Sequence, residues 1–90
     1  MKKYYIIVSG LVQGVFFRHN AKKKADELGI KGFVRNLGTG KVEIVAEGEN
    51  DDLNNFLKWC AQGPSGAHVK EVNAKDIQIA DEFKRFEIIY

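Results

Sequence analysis

Apolar residues repeat along this chain with two different spacings, and the order of these spacings constrains the fold more than any other feature. Segments rich in aromatic and β-branched residues, or with every second residue apolar, predict strands over residues 3–9, 30–36, 41–48, 67–78 and 85–90. Apolar residues three and four apart predict helices over residues 17–28 and from residue 50 to a stop at residues 63–66. The order is strand, helix, strand, strand, helix, strand and a short terminal strand. It predicts an α+β protein, a ferredoxin-like split βαβ sandwich with two helices packed on one face of an antiparallel sheet.

Turn-forming and helix-capping residues lie where this order needs them. Gly29 follows the first helix, where a C-cap glycine belongs, and Asn50 is the expected N-cap of the second helix. Two glycines within residues 37–40 predict a hairpin between the second and third strands. The third strand alternates apolar residues with positions that include two acids, so we expect one buried face and one largely wet face. These acids are Glu43 and Glu47.

Length and composition limit the class of protein. Ninety residues fit one domain, residues 1–90. A content of 44 % hydrophobic and 29 % charged residues is typical of a globular protein rather than a disordered or membrane one. Fourteen basic against twelve acidic residues leave a net charge of +2. This excess is too small to indicate nucleic acid by itself, although it favours anionic small molecules.

A lone cysteine and a short N-terminal apolar run bear on location. Cys60 has no second cysteine to pair with, which excludes an intramolecular disulfide and fits a reducing compartment. The apolar run that starts at Tyr4 ends at Ser9, which is short for the roughly 7–15 apolar residues of a secretory signal. No apolar segment approaches the ~20 residues that span a bilayer. We therefore expect a cytoplasmic protein, with a monomer as the default state.

A glycine-containing loop, residues 10–16, leads from the first strand into the first helix. Such a loop can turn several backbone N–H groups towards one point beside the positive end of the helix dipole, where anions bind. Arg18 stands at the start of this helix, where a cation opposes the dipole by about 0.3–1 kcal/mol. A bound phosphate would remove that conflict, because guanidinium and amides would share one anion. Local physics leaves two interpretations open, a phosphate ligand and an ordinary surface arginine.

Asn36 ends the second strand, just before the hairpin. Asparagine is a common turn residue, and that is the simpler interpretation. Its side-chain amide can also orient a water through the carbonyl oxygen, or stabilise developing charge through the NH₂ group. The residue type alone leaves both interpretations open.

Two sequence motifs, which include Arg18 and Asn36, resemble those of a known protein family. The first motif is Gly10-x-Val12-Gln13-Gly14-Val15-x-Phe17-Arg18, and the second is Gly32-x-Val34-x-Asn36 followed by Gly40-x-Val42-Glu43. Together they resemble the acylphosphatase signature, and the resemblance covers almost the whole chain. It implies a hydrolase that converts acyl phosphates to a carboxylate and inorganic phosphate, with Arg18 binding the phosphate and Asn36 positioning the attacking water. It also implies that the phosphate is cradled by the loop residues Gln13, Gly14, Val15, Phe16 and Phe17.

The chain departs from the family pattern at two positions. Members often carry threonine or serine where this chain has Ala21, and an Asp-Gly hairpin where it has Thr39 and Gly40. With Ala21, a secondary hydrogen bond near the loop is not expected. The change at Thr39 affects only the turn. The chemistry agrees with the absence of an obvious general acid, because a carboxylate is already a good leaving group and phosphoryl transfer asks mainly for positioning. The substrate phosphate itself could accept the proton of the water.

We expect no metal and no cofactor. His19 and His68 are far apart in the sequence, and no carboxylate cluster has the spacing of a Mg²⁺ site. We interpret His19 as a solvated residue at the helix start. Cys60 lies on the apolar stripe of the second helix and is interpreted as a small core residue rather than a catalytic thiol.

Two other classes of protein remain as alternatives. A non-catalytic anion- or RNA-binding module is the first, because RNA-recognition motifs share this order of elements, and residues 31–34 faintly resemble their aromatic signature. That signature belongs on the third strand, however, which here has no aromatic residue and two acids. A ligand-sensing regulatory domain is the second. The expected partner is a small-molecule acyl phosphate, with neither nucleic acid nor membrane.

Overall fold

The strands and helices follow the predicted order. In residues 1–80 and 82–90, which the computed structural model describes, the chain forms five strands and two helices. They are β1 (Lys2–Leu11), α1 (Phe17–Leu28), β2 (Lys31–Asn36), β3 (Val42–Gly48), α2 (Asn50–Gln62), β4 (His68–Asp76) and β5 (Phe86–Ile89). The ferredoxin-like prediction is confirmed, with element bounds close to those expected.

β1 runs farther than predicted, because Gly10 lies within the strand and not in the loop. The pairing of β1 with β4 shifts register between Ser9 and Gly10. Gly10 has a φ of 121°, and a Cβ atom at this position would lie 2.2 Å from the backbone oxygen of His68. Glycine allows the two backbones to approach this closely. The strand therefore continues through Leu11, and the loop begins at Val12.

The sheet has the strand order β4-β1-β3-β2-β5. The first four strands of the chain pair antiparallel, as predicted, whereas β5 pairs parallel with β2, placing Gly32 opposite Phe86. β4 ends opposite Tyr4, at the end of the sheet where β1 and β2 begin. Because β5 starts from this same end, it runs in the direction of β2. The sheet is therefore mixed, which corrects the expected antiparallel pairing at β5 alone.

The acids of β3 are buried, contrary to the expectation of a wet face. Glu43 is 6 % exposed and Glu47 is 5 % exposed, because β3 is the central strand and its neighbours cover it. The Tyr5 hydroxyl donates to Glu43 Oε2 at 2.5 Å, and Arg35 Nε donates to Glu43 Oε1. Lys3 Nζ lies 3.4 Å from Glu47 Oε1. Burial alone would raise the pKa of Glu43, but the hydrogen bonds from Arg35 and Tyr5 outweigh it and hold the pKa below its usual value.

Both helices pack on one face of the sheet around a cluster of buried apolar side chains, as predicted. Their buried residues are Phe17, Ala21 and Ala25 of α1 and Leu53, Phe56 and Cys60 of α2. In the described part of the chain, no helix has the length and apolar character needed to cross a membrane.

α2 begins one residue earlier than the predicted cap implies. Glu49, not Asn50, is the N-cap: its backbone is extended (φ −73°, ψ 155°), and its carbonyl accepts from the Leu53 N–H at 2.9 Å. Since β3 ends at Gly48, the extended backbone continues for only this one residue before the helix starts. Asp51 and Asp52 lie in the first turn of the helix, where acidic side chains are favourable.

Candidate active site

A cleft of about 630 Å³ opens where the loop of residues 12–16 enters α1, beside the end of β2. It brings together two residues far apart in the sequence, Arg18 and Asn36. The residues that line it are Val12, Gly14, Phe16, Phe17, Arg18, His19, Asn36, Ile88 and Tyr90. The predicted Gly14, Phe16 and Phe17 are thus in the cleft, whereas Gln13 and Val15 are not part of its lining. None of the lining residues is acidic, so the cleft suits an anion.

The backbone at the mouth of α1 presents a row of hydrogen-bond donors. Among residues 1–80 and 82–90, no backbone carbonyl or side chain accepts a hydrogen bond from the N–H groups of residues 13–19. The first donor of this region with a partner is the Asn20 N–H, which bonds the Phe16 carbonyl at 3.1 Å. Consecutive unpaired N–H groups beside a helix N-terminus form a site for an anion.

Phe16 holds the loop in an unusual conformation. It is the N-cap of α1, with φ 60° and ψ 29° in the left-handed region, and its side chain is 78 % exposed. A residue other than glycine in this region costs roughly 1–3 kcal/mol. The Asn20 side chain supports this conformation, since its Nδ2 donates to the Phe16 carbonyl at 2.9 Å. Strain of this kind, held by its surroundings, is typical of functional sites.

Arg18 is a cation in contact with an aromatic ring. Its Cζ atom lies 4.9 Å from the centroid of the Tyr90 ring, within the range of a cation–π interaction. In the part of the chain that the structure describes, no carboxylate forms an ion pair with Arg18. The guanidinium therefore keeps its hydrogen-bond donors for a ligand in the cleft.

Asn36 lines the same cleft and carries an unsatisfied acceptor. It is the last residue of β2 and lies opposite Val42 in β3. Its Oδ1 atom is buried and has no hydrogen-bond partner among the described residues. A buried acceptor without a partner costs about 1–3 kcal/mol, and groups of this kind call for a functional explanation. An amide oxygen of this kind can accept a hydrogen bond from a water molecule, and the residue that carries it lines the cleft.

The side chain of Gln13 bonds to a neighbouring hairpin. Gln13 was expected to take part in the loop that cradles the phosphate, and its side-chain Nε2 donates to the backbone oxygens of Leu37 at 2.8 Å and Lys41 at 2.9 Å. These carbonyls belong to the hairpin between β2 and β3, so the side chain connects the loop to the hairpin. Val15 packs against the hydrophobic core.

Three cleft residues carried little signal in the sequence. Tyr90 and Ile88 lie on β5 or just beyond it, and the alternation of apolar residues in that segment indicated only a strand. His19 lines the cleft and is exposed, in agreement with its interpretation as a solvated residue. The approach of Tyr90 to Arg18 could not be predicted from the spacing of residues along the chain.

Neither a thiol nor a metal cluster takes part in the described site. Cys60 is buried in the core, and burial raises the pKa of its thiol well above the usual value. Over residues 1–80 and 82–90, no group of three or more histidine, cysteine, aspartate and glutamate side chains could hold a metal ion. The arrangement can bind a phosphate and place a water next to it, using one guanidinium, backbone amides and one side-chain amide.

Comparison with known proteins points to one family. The acylphosphatase family model matches residues 4–88. An acylphosphatase of Methylococcus capsulatus is 42 % identical over 89 residues, covering 99 % of this chain and 97 % of the relative. An acylphosphatase of Marinobacter nauticus is 46 % identical over 86 residues, covering 96 % of this chain and 94 % of the relative. The crystal structure of acylphosphatase from Bacillus subtilis matches with a TM-score of 0.96 at 36 % identity, covering 100 % of both chains.

Proposed function

This chain belongs to the acylphosphatase family and is an acylphosphatase, and we propose that Arg18 and the backbone amides of residues 13–18 hold the phosphate while Asn36 positions the attacking water. One observation carries the proposal: a buried, unpartnered Oδ1 of Asn36 shares a cleft with Arg18 and with a row of unpaired backbone N–H groups.

The phosphate is bound by charge and by preformed geometry. Arg18 offers a planar fork of donors that matches two phosphate oxygens. The amides at the mouth of α1 offer further donors, and the helix dipole adds partial positive charge. The unfavourable position of Arg18 at a helix N-terminus and the strained backbone at Phe16 are both explained if this loop is built around an anion.

The water is placed by Asn36. Its Oδ1 accepts a hydrogen bond from the water, which orients a lone pair of the water oxygen towards phosphorus. The new P–O bond forms from the water, the P–O bond to the acyl group breaks, and the carboxylate leaves with that electron pair. One proton of the water passes to a phosphate oxygen, so neither a general acid nor a general base is required from the protein.

The acyl group lies against the apolar part of the cleft. Phe16, Ile88 and Tyr90 line the same cleft as Arg18, and the residues Phe16 and Tyr90 are 78 % and 94 % exposed. Exposed rings beside a charged cradle offer contact area to an apolar or aromatic acyl group.

The remaining parts of the proposal concern the protein as a whole. We infer a single domain over residues 1–90 that acts in the cytoplasm as a monomer on a small molecule rather than on nucleic acid. The buried thiol of Cys60 and the acids in β3, where an RNA-binding sheet would carry aromatic residues, support it.

The test is hydrolysis of benzoyl phosphate in the presence of a chelator. Arg18→Ala and Asn36→Ala are expected to lower kcat/KM by about 10²–10⁵-fold, as for loss of a key charge or positioning group. Arg85→Ala and Asn54→Ala, which replace the same residue types at exposed positions outside the cleft, serve as controls and should keep wild-type rates. Circular dichroism should show all variants folded. A folded wild type without turnover would contradict the proposal, as would full activity in either cleft variant.

A further inference from the structure

The side chain of Gln13 uses both of its N–H donors on one neighbouring hairpin. Nε2 donates to the Leu37 carbonyl at 2.8 Å and to the Lys41 carbonyl at 2.9 Å. The same two residues close the hairpin between β2 and β3, because the Leu37 N–H donates to the Lys41 carbonyl at 2.8 Å. A primary amide nitrogen has two hydrogens, so none remains for a ligand.

These bonds join the two halves of the cleft. Gln13 immediately precedes Gly14, which lines the cleft at the phosphate loop, and the loop continues to Arg18. Leu37 immediately follows Asn36. The loop belongs to the connection between β1 and α1, whereas Asn36 ends β2. The amide of Gln13 is a direct hydrogen-bonded link between the phosphate loop and the segment that carries Asn36.

We propose that Gln13 is a positioning residue: its side chain sets the separation between the phosphate held by the loop and the water held by Asn36. This inference rests on the proposed function and assigns Gln13 a role distinct from phosphate binding by its side chain. Reaction rates depend steeply on such separations, and a displacement of about 1 Å can lower a rate by about 10²-fold.

Glutamine suits this role by its length and its donors. A glutamate at this position would place a carboxylate against two carbonyl oxygens, and an alanine would leave the loop and the hairpin without the link. Phosphate binding uses other groups, namely Arg18 and the backbone N–H groups. Loss of the link is therefore expected to change catalysis more than affinity for phosphate.

The test compares Gln13→Met, which keeps the length of the side chain but removes both donors, with Tyr5→Phe as a control. Tyr5→Phe also removes one long-range hydrogen bond, that between Tyr5 and Glu43, but outside the cleft. For each variant, kcat and KM are measured with benzoyl phosphate, the inhibition constant Ki with inorganic phosphate, and unfolding with urea. We expect Gln13→Met to lower kcat about 10–100-fold and to leave the Ki for phosphate within about threefold of wild type, since the groups that bind it are intact. Tyr5→Phe should keep wild-type kcat.

A double variant tests whether the loss of kcat in Gln13→Met arises through Asn36. If Gln13 acts through Asn36, then Gln13→Met should lower kcat little further in an Asn36→Ala background, because residues that act as a unit are not additive. An unchanged kcat in Gln13→Met would overturn the proposal, as would a rise in Ki that matches the whole loss of activity, or full additivity in the double variant. If Gln13→Met does not fold, Gln13→Asn, which keeps the amide but shortens it by one methylene, carries the same expectations. Failure of the proposed function is distinguishable, because either the wild type would then show no turnover or the single variants Arg18→Ala and Asn36→Ala would keep full activity, whatever the result for Gln13→Met.

Discussion

Tyr90 lies over the guanidinium of Arg18, with 4.9 Å between the ring centroid and Cζ. Tyr90 is 94 % exposed, so this cation–π interaction is made at the surface. The interaction restricts the orientation of the guanidinium without using any of its N–H donors. An acidic partner would instead compete with a phosphate for those donors.

Replacing Tyr90 is expected to weaken substrate binding moderately. An exposed cation–π contact contributes about 0.5–1 kcal/mol, so Tyr90→Leu should raise KM for benzoyl phosphate by about two- to fivefold. Tyr90→Phe keeps the ring face and should behave as wild type. Steady-state kinetics of the two variants check this, and equal KM values for Tyr90→Leu and wild type would contradict it.

Replacing Phe16 is expected to change the selectivity for the acyl group without lowering the stability of the fold. Asparagine tolerates the left-handed backbone better than phenylalanine does, and the Phe16 side chain is largely exposed. Phe16→Asn is therefore expected to leave the free energy of unfolding unchanged or raise it by up to about 1 kcal/mol. It should raise KM for benzoyl phosphate more than KM for acetyl phosphate, since only the aryl substrate offers a ring to the cleft wall. A proportional change for both substrates would show that Phe16 does not contact the acyl group.

The buried carboxylate of Glu43 predicts a pH dependence of stability. Its pKa is lowered in the folded protein, so its contribution to stability is fully present above the unfolded-state pKa and is lost as the pH falls through the folded-state pKa. At pH 7, Glu43→Gln should lower the free energy of unfolding by about 1.5–3 kcal/mol, the range for hydrogen bonds to a charged group.

Urea unfolding at neutral and acidic pH tests this expectation, and the difference between Glu43→Gln and wild type should shrink in acid. Glu87→Gln is the control, because Glu87 pairs with Arg85 at the surface, where such pairs contribute little. A difference that stays constant from neutral to acidic pH would exclude the charge of Glu43 as its source.

Cys60 is expected to be chemically silent in the native protein. It is fully buried, and burial raises the pKa of its thiol, so little reactive thiolate forms near pH 8. A disulfide reagent that is specific for thiols should label it only after unfolding. Cys60→Ala should keep wild-type kcat, because a small core residue takes no part in the reaction. Rapid labelling of the folded protein, or loss of turnover in Cys60→Ala, would contradict the interpretation of Cys60 as a buried core residue without a catalytic role.

The order of elements was predictable because the apolar residues of each strand and helix repeat with a characteristic spacing. The burial of individual side chains and the direction of the last strand were not predictable, because both depend on neighbouring strands. The sequence showed Glu43 as one of two acids in an alternating strand, whereas its burial depends on Tyr5 and Arg35, which reach it from β1 and β2. The parallel pairing of β5 similarly depends on the end of the sheet at which β4 stops.

In the candidate site too, some features could be predicted from the sequence and others depend on contacts between distant residues. Arg18 violates the preference of the helix dipole, and such a local conflict can be seen in the sequence. The side chain of Gln13 could not be assigned in this way, because its partners lie 24 and 28 residues further along the chain. Tyr90 was visible only as part of an alternating strand, and its contact with Arg18 arises from the pairing of β5 beside β2.

The most direct test of the account is to measure the binding of inorganic phosphate by isothermal titration calorimetry, alongside kcat, for wild type, Arg18→Ala and Asn36→Ala. The account assigns phosphate binding to Arg18 and water placement to Asn36. Arg18→Ala should weaken phosphate binding by about tenfold or more, as expected for loss of charge-assisted hydrogen bonds. Asn36→Ala should bind phosphate within about threefold of wild type while losing turnover. Wild-type phosphate affinity in Arg18→Ala, or loss of phosphate binding in Asn36→Ala, would contradict this division of roles.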